Sequence, residues 1–260
     1  MKKIQTPPRE RSRTLGRPIQ AIGPKSVITA IACALSIACS SPRAQPGSSP
    51  PVEGSGHPPA SAPLGPNVAA APPHDFVDVA KLEPSIRVDL RYATAHNFTG
   101  QVVYPASARC YLRARVARRL QAVQRELMAQ GLGLKVFDCY RPLSVQRRFF
   151  ALVPDERYVA NPSKGSRHNR GAAVDLTLVD AAGNEQTMPT AFDDFSERAH
   201  RSFMALPAAA IENRARLEAA MVSQGFVPMP TEWWHFDDRE AKGDALADVS
   251  FDVLAQAAAR

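Results

Sequence analysis

From Arg113 to Gln130, apolar side chains recur every three or four positions at Val116, Leu120, Val123 and Leu127, and Gly131 follows as a stop signal. That period predicts an amphipathic helix. Upstream, "FVDVAKLEPSIRVDLRYATAHNF" opens the folded region near Phe76, and its alternation at Ile86, Val88 and Leu90 predicts a strand. Downstream, "LKVFDCYRP" reads as a short strand with Leu134, Val136 and Asp138 on one face and Phe137 and Cys139 on the other. Pro142 marks its exit, and Ser144 is expected to cap a helix running through Phe150. After the loop "PDERYVANPSKGS", the run "AVDLTLVD" alternates again, Val174, Leu176 and Leu178 pointing one way and Asp175 and Thr177 the other. The polar turn "DAAGNE" and the loop "MPTAFDDFSERAH" lead to a helix from about Pro207 to Gln224, ended by Gly225. In "PTEWWHFD" the proline argues against a helix interior and the aromatics suit a strand. Helices and strands are interspersed without internal repeats or a regular βαβ rhythm. The expected class is α+β, a single domain whose mostly antiparallel central sheet is flanked by helices.

The first seventy-odd residues do not belong to that pattern. Lys2, Lys3, Arg9, Arg11, Arg13, Arg17 and Lys25 precede the apolar stretch "SVITAIACALSIAC", Ser26 to Cys39. A charged region followed by an apolar run too short for a comfortable transmembrane helix reads as a secretory signal over residues 1–39. Its end, "LSIAC", resembles the lipobox of bacterial lipoproteins, with Leu35 one position further from Cys39 than usual. Lipidation at Cys39, plain secretion and an uncleaved anchor all remain open. Residues 40–74 are rich in Pro, Ser, Ala and Gly with almost no large apolar side chain, the composition of a disordered linker. The folded domain is then 75–260, and the 45% hydrophobic content is enough for a real core.

This partition changes the meaning of the charge. Of the formal +7, seven Lys/Arg and the single acid Glu10 within residues 1–39 account for +6, leaving +1 on residues 40–260. A nearly neutral mature chain removes the main support for nucleic-acid binding. Cys33 and Cys39 fall in the targeting segment, so Cys110 and Cys139 are the pair left in the domain. Export implies an oxidising compartment, periplasmic in this reading, where such a pair is expected as a disulfide; two separately buried thiols are the alternative.

Three side chains are hard to place on structural grounds alone. His168 lies on the loop before an apolar strand, Asp175 within that strand, and His235 in "EWWH". Singly, His168 reads as a surface loop residue and Asp175 as an acid on a solvent-facing strand position. Together, two His and one carboxylate meet the need of a hydrolytic zinc site for three protein ligands and an open position for water. Gly171 would let the chain turn so that His168 and Asp175 converge. Glu232, three residues before His235, suits a base that takes a proton from water and passes it to a leaving amine. Trp233 and Trp234 would wall the site from water. Arg141 in "DCYRP" is the candidate to face a developing oxyanion, or is a strand-end arginine paired with Asp138.

"SRHNRGAAVDL" and "EWWH" match the S-x-H-x-x-G-x-A-x-D and E-x-W-H patterns of the zinc D-alanyl-D-alanine dipeptidases, the group that includes the vancomycin-resistance dipeptidases. "RYATAHNFTG", "DCYRP" and "FDDFSERAH" extend the resemblance, in order, over about Val77 to Asp237. It implies one zinc ion per chain in a cleft on the sheet, held by His168, Asp175 and His235, with Glu232 as general base and acid and Arg141 at the transition state. It implies further that Ser166 holds the carboxylate and Asp193 the ammonium of a small dipeptide. Pro189 stands where the family usually has glycine, which bears on the loop carrying Asp193. The implied activity is hydrolysis of D-Ala-D-Ala in cell-wall dipeptide turnover, since a pocket pairing both free termini rejects longer peptides. A D,D-carboxypeptidase or cell-wall endopeptidase of the same superfamily is the nearest alternative, and a non-catalytic wall-binding lipoprotein the second. The only membrane contact expected is through the N-terminal anchor.

Overall fold

The computed structural model describes residues 68–69 and 74–257. The expected signal segment, Cys39 and nearly all of the expected linker lie outside these residues. Within that linker, Val68–Ala69 (β1) runs parallel to Leu246–Ala247 (β9). Pairing of this kind is made by the backbone and asks for no large apolar side chains.

A five-stranded sheet organises the molecule. Its strands are Arg87–Val88 (β3), Leu132–Asp138 (β5), Ala173–Asp180 (β6), Phe226–Pro228 (β7) and His235–Asp238 (β8), in the order β3-β5-β6-β8-β7, with only β3 and β5 parallel. The α+β reading with a mostly antiparallel sheet therefore holds. A separate antiparallel pair joins Phe76–Asp78 (β2) to Tyr111–Arg113 (β4). Ala114–Met128 (α2) packs on β5, and Ala208–Ser223 (α4) packs on β7 and on α2.

Both long helices fall where the sequence reading puts them, α2 on its 3.6-residue period and α4 ahead of its closing glycine. Val116, Leu120, Val123 and Leu127 are wholly buried in the core with Leu134, Val136, Val174, Leu176 and Leu178 of β5 and β6. Gly131 and Gly225 follow the helices at φ of 74° and 87°, the left-handed conformation that ends a helix without steric cost. Three short helices complete the chain: Val79–Leu82 (α1), Leu143–Leu152 (α3) and Phe251–Ala257 (α5).

Local expectations fail in four places, each for a physical reason. The strand read through Ile86, Val88 and Leu90 is only the two residues of β3; Ile86 and Leu90 are buried but Val88 is exposed, because a two-residue edge strand lets the chain bend on either side. In β5, Val136 pairs with Leu176 but Asp138 pairs with Asp175, a one-residue register shift centred on Phe137. Cross-strand partners share a face, so the extra residue turns Asp138 away from the side of Val136 and onto that of Asp175. Ser144 is not a cap: Pro142 holds the N-cap position of α3, and the Ser144 N–H donates to Asp248 Oδ1 at 2.7 Å. "PTEWWHFD" is a strand only from His235; the residues before it form turns.

Cys110 and Cys139 form a disulfide between buried positions, one immediately before β4 and the other immediately after β5, with Cα atoms 5.2 Å apart. The Tyr140 N–H donates to the Tyr111 carbonyl beside it, so the bridge pins the exit of β5. A thiol titration of the denatured, unreduced protein is expected to find neither Cys110 nor Cys139 free. Closing this 29-residue separation contributes about 3 to 4 kcal/mol in the chain-entropy picture. The double Cys→Ser variant is expected to lose a stability of that size in urea unfolding.

Candidate active site

Register places the first two groups. Asp175 on β6 lies opposite His235 on β8 and, across the other edge, opposite Asp138 on β5. His168 arrives on a 3-10 turn, His168–Arg170, which closes at Gly171 with φ 64°. A Cβ there would come within 2.6 Å of the Phe76 ring, so both conformation and space require glycine.

The three side chains converge. His168 Nε2 lies 3.1 Å from His235 Nδ1 and 3.4 Å from Asp175 Oδ1, and His235 Nδ1 lies 2.9 Å from the same oxygen. The outer ring nitrogens have partners of their own: His168 Nδ1 at 2.6 Å from the Cys139 carbonyl, and His235 Nε2 at 3.0 Å from Asp237 Oδ1. A carbonyl and an ionised carboxylate only accept, so each ring carries its proton outward and turns a lone pair inward. Two nitrogen lone pairs and a carboxylate oxygen, all within 4.8 Å of one another, repel unless a cation lies among them. Burial opposes ionisation of Asp175, yet His168 and His235 hold it well below the usual carboxylate range. Burial likewise opposes a charged His235, yet the hydrogen bonds to Asp175 and Asp237 push its pKa up. Both shifts express the pull of these acceptors on positive charge. Two imidazoles, one carboxylate and a hydrogen-bonded outer layer fit a zinc ion.

Arg141 and Asp138 adjoin this cluster. Asp138 accepts from Arg141 Nε at 3.1 Å and Nη2 at 2.7 Å, from the Tyr104 hydroxyl at 2.8 Å and from the Cys139 N–H at 2.9 Å. Gln146 Oε1 accepts from Arg141 Nη1 at 2.9 Å, and the guanidinium rests over the rings of Phe149 and Tyr92. Arg141 is thus at once the partner of Asp138 and a wall of the cavity, so the two readings of this arginine are compatible.

Glu232 is buried beside the cluster, and its carboxylate makes no hydrogen bond to another described residue. Burial, then the charge of Asp175, push its pKa up to about 7 against the pull of His235, His168 and Arg141. Its place is set by the backbone on either side. Arg201 donates to the carbonyls of Met229, Trp233 and His235 at 2.8, 2.9 and 3.2 Å and pairs with Glu218 at 3.0 Å, clamping both flanks of the turn that carries Glu232.

His168, Asp175, His235, Arg141 and Glu232 line one cavity of about 550 Å³. Asp193 enters it at φ 62°, the one non-glycine residue with positive φ among the described residues. It is held there by the Tyr92 hydroxyl and the Phe98 N–H, each at 3.1 Å. An aspartate tolerates this conformation better than most residues, and such local strain gathers at functional sites. Burial first, and Asp175 next, raise its pKa to about 7. Ser166 also lines the cavity; its hydroxyl accepts the His168 N–H at 3.2 Å and its own N–H donates to Asn169 Oδ1 at 2.7 Å. Trp234 walls the cavity, but Trp233 does not: its indole N–H turns to Thr190 Oγ1 at 2.9 Å.

Comparison with known proteins identifies the family. Residues 73–256 match the peptidase M15 family described as D-Ala-D-Ala dipeptidase. The chain belongs to that family. It is 39% identical over 175 residues to a D-alanyl-D-alanine dipeptidase of Escherichia coli (strain K12), covering 67% of this chain and 90% of that one. It is 32% identical over 182 residues to a D-alanyl-D-alanine dipeptidase of Enterococcus faecalis (strain ATCC 700802 / V583), covering 62% and 90%. A solved structure of the LdcB LD-carboxypeptidase superposes with a TM-score of 0.40 at 17% identity, covering 71% of this chain and 73% of that one.

The seven residues that the sequence of this D-Ala-D-Ala dipeptidase family member assigns to metal, catalysis and substrate all line this cavity; Trp233, expected as a wall, does not. The pattern reading passed over Tyr92, Asp237 and Arg201. Asp237 had a signal, two residues beyond His235 on the same strand face. Tyr92 and Arg201 had none, because their partners are about a hundred and about thirty positions away. Replacing Asp237 by Ala frees the His235 ring and is expected to weaken the binding of a divalent metal by about 10- to 100-fold, read by competition with a chelator.

Proposed function

We propose that this chain is an exported, zinc-dependent D-Ala-D-Ala dipeptidase acting in cell-wall dipeptide turnover. The observation that carries the reading is the convergence of His168, Asp175 and His235 beside a buried Glu232 whose carboxylate makes no hydrogen bond among the described residues. In this reading His168 Nε2, the Asp175 carboxylate and His235 Nδ1 hold the metal. When bound, zinc supplies a Lewis acid that lowers the pKa of water and polarises a carbonyl.

The chain's own residues supply the rest. Glu232, without a side-chain hydrogen bond among the described residues and raised to about 7, can accept a proton from water and release it to the departing amine near neutral pH. Arg141 presents a fixed positive charge where oxyanion character develops, and Asp138 and Gln146 keep the fork from swinging away. Asp193 offers a carboxylate to the substrate ammonium and Ser166 a hydroxyl to its other end. The disulfide, unusual for a reducing compartment, supports export, as does the N-terminal segment.

A rate comparison tests the substrate class. The purified enzyme should cleave D-Ala-D-Ala faster than an N-acylated or pentapeptide substrate; the reverse order assigns it as a carboxypeptidase or endopeptidase. Glu232→Gln is expected to retain stoichiometric zinc while kcat falls by about 10²- to 10⁴-fold. The pH dependence has a definite sign. A carboxyl raised to about 7 becomes neutral as pH falls through that value, so Asp193 loses its attraction for the ammonium on the acid side. KM for D-Ala-D-Ala should rise below about pH 7, and Asp193→Asn should flatten that limb at a uniformly high KM.

A further inference from the structure

Two chains of contacts run out from the His168–Asp175–His235 cluster along the cavity. In one, Arg141 rests over Tyr92, whose hydroxyl holds Asp193. In the other, His235 bonds Asp237, and Asp237 Oδ2 faces Arg167 Nε at 3.9 Å. Asp193 and Arg167 both line the cavity.

Most of the cations lining this cavity are already engaged. Arg141 is bound by Asp138 and Gln146. Lys164 Nζ pairs with Glu156 at 2.8 Å, and Arg170 donates to the carbonyls of Asp244 and Lys164. Arg167 is different. Among the described residues its guanidinium makes no hydrogen bond, and the 3.9 Å approach to Asp237 is an ion pair without one. The side chain is about one-third exposed (34%), open to the cavity and free to turn its fork towards a ligand. Asp237 does not compete strongly, since its Oδ1 is committed to His235. Arg167 also occupies the unspecified second position of the S-x-H pattern, so its charge belongs to this chain and not to the motif.

We propose that Arg167 adds a charged anchor for the C-terminal carboxylate of the substrate, beside the hydroxyl of Ser166. This rests on the dipeptidase reading for the identity of the substrate. A guanidinium meets a carboxylate through two parallel N–H donors, a geometry that an amide terminus cannot share because it has one acceptor oxygen and no charge. With Asp193 taking the ammonium, the two charges fix the direction in which a zwitterion lies across the reaction centre.

Calorimetric titration of the zinc-loaded full-length protein in the Glu232→Gln background separates binding from turnover. The probes are D-Ala-D-Ala and D-Ala-D-Ala amide. The parent should bind the acid at least tenfold more tightly than the amide, and Arg167→Ala should lower that ratio about tenfold with zinc content and thermal midpoint retained. Arg167→Lys, which keeps the charge but not the fork, should fall between. Should Arg167→Ala fail to fold, Arg167→Gln serves with the same readings. An unaltered acid-to-amide ratio in the variant, or no binding of either dipeptide by the parent, overturns the assignment. If the parent binds the acid selectively but the enzyme with Glu232 intact does not cleave it, the dipeptidase reading falls while the role of Arg167 stands.

Discussion

Three ionisable residues lie in a row across the middle of the sheet, and the rest of the site is arranged to make that row tolerable. Asp138, Asp175 and His235 occupy facing positions on β5, β6 and β8. Side chains so placed are about 5 Å apart, and two adjacent carboxylates in a buried sheet repel strongly. Each therefore has its own source of positive charge. Asp138 has Arg141, locked in two hydrogen bonds, and Asp175 has the inward-facing imidazoles and whatever cation they share. Removing either source leaves an uncompensated buried charge, which costs several kcal/mol in a fold with a total stability of about 5 to 15.

Around this row the molecule divides its work between regular and irregular backbone. The strands fix Asp175 and His235 by register. Glu232, Asp193 and Ser166 come instead from turns and loops, whose backbone can aim a side chain into a cavity that regular strands cannot reach. Loops of this kind need ties. Arg201 binds three carbonyls around Glu232, Tyr92 and the Phe98 N–H hold Asp193, and Asn169 holds the backbone of Ser166. The disulfide does similar work at the end of β5, where it steadies the carbonyl of Cys139 against His168.

How much of this was visible in the sequence follows from the range of each interaction. The two long helices were legible because a buried stripe repeats locally, and the parity of β6 placed Asp175 opposite Val174, Leu176 and Leu178 for the same reason. The metal-type cluster was legible because residue identity and order are carried in short motifs. The register shift at Phe137 was not, since nothing within β5 distinguishes a strand that keeps its phase from one that gains a residue against its neighbour. The edge strand at Arg87–Val88 misled because alternation reports apolar positions, not how long the chain stays straight. Arg201 was invisible because its meaning lies entirely in carbonyls supplied by a distant turn.

The shift at Phe137 also makes β5 a counted element. Its extra residue is what brings Asp138 round to the face of Asp175, so the number of residues between Leu134 and Arg141 is as much a determinant of the site as their identity. Were the same residues paired in unbroken phase, Phe137 would stand opposite Asp175, and Asp138 would fall opposite Val174 in the apolar layer and take Arg141's partner out of the site. The turn between Asp180 and Glu185 follows β6 at the end of the ladder away from the cavity and lies outside the β5–β6 pairing. Within this pair of strands, then, the phase that matters to the site is set at the end that meets the cavity.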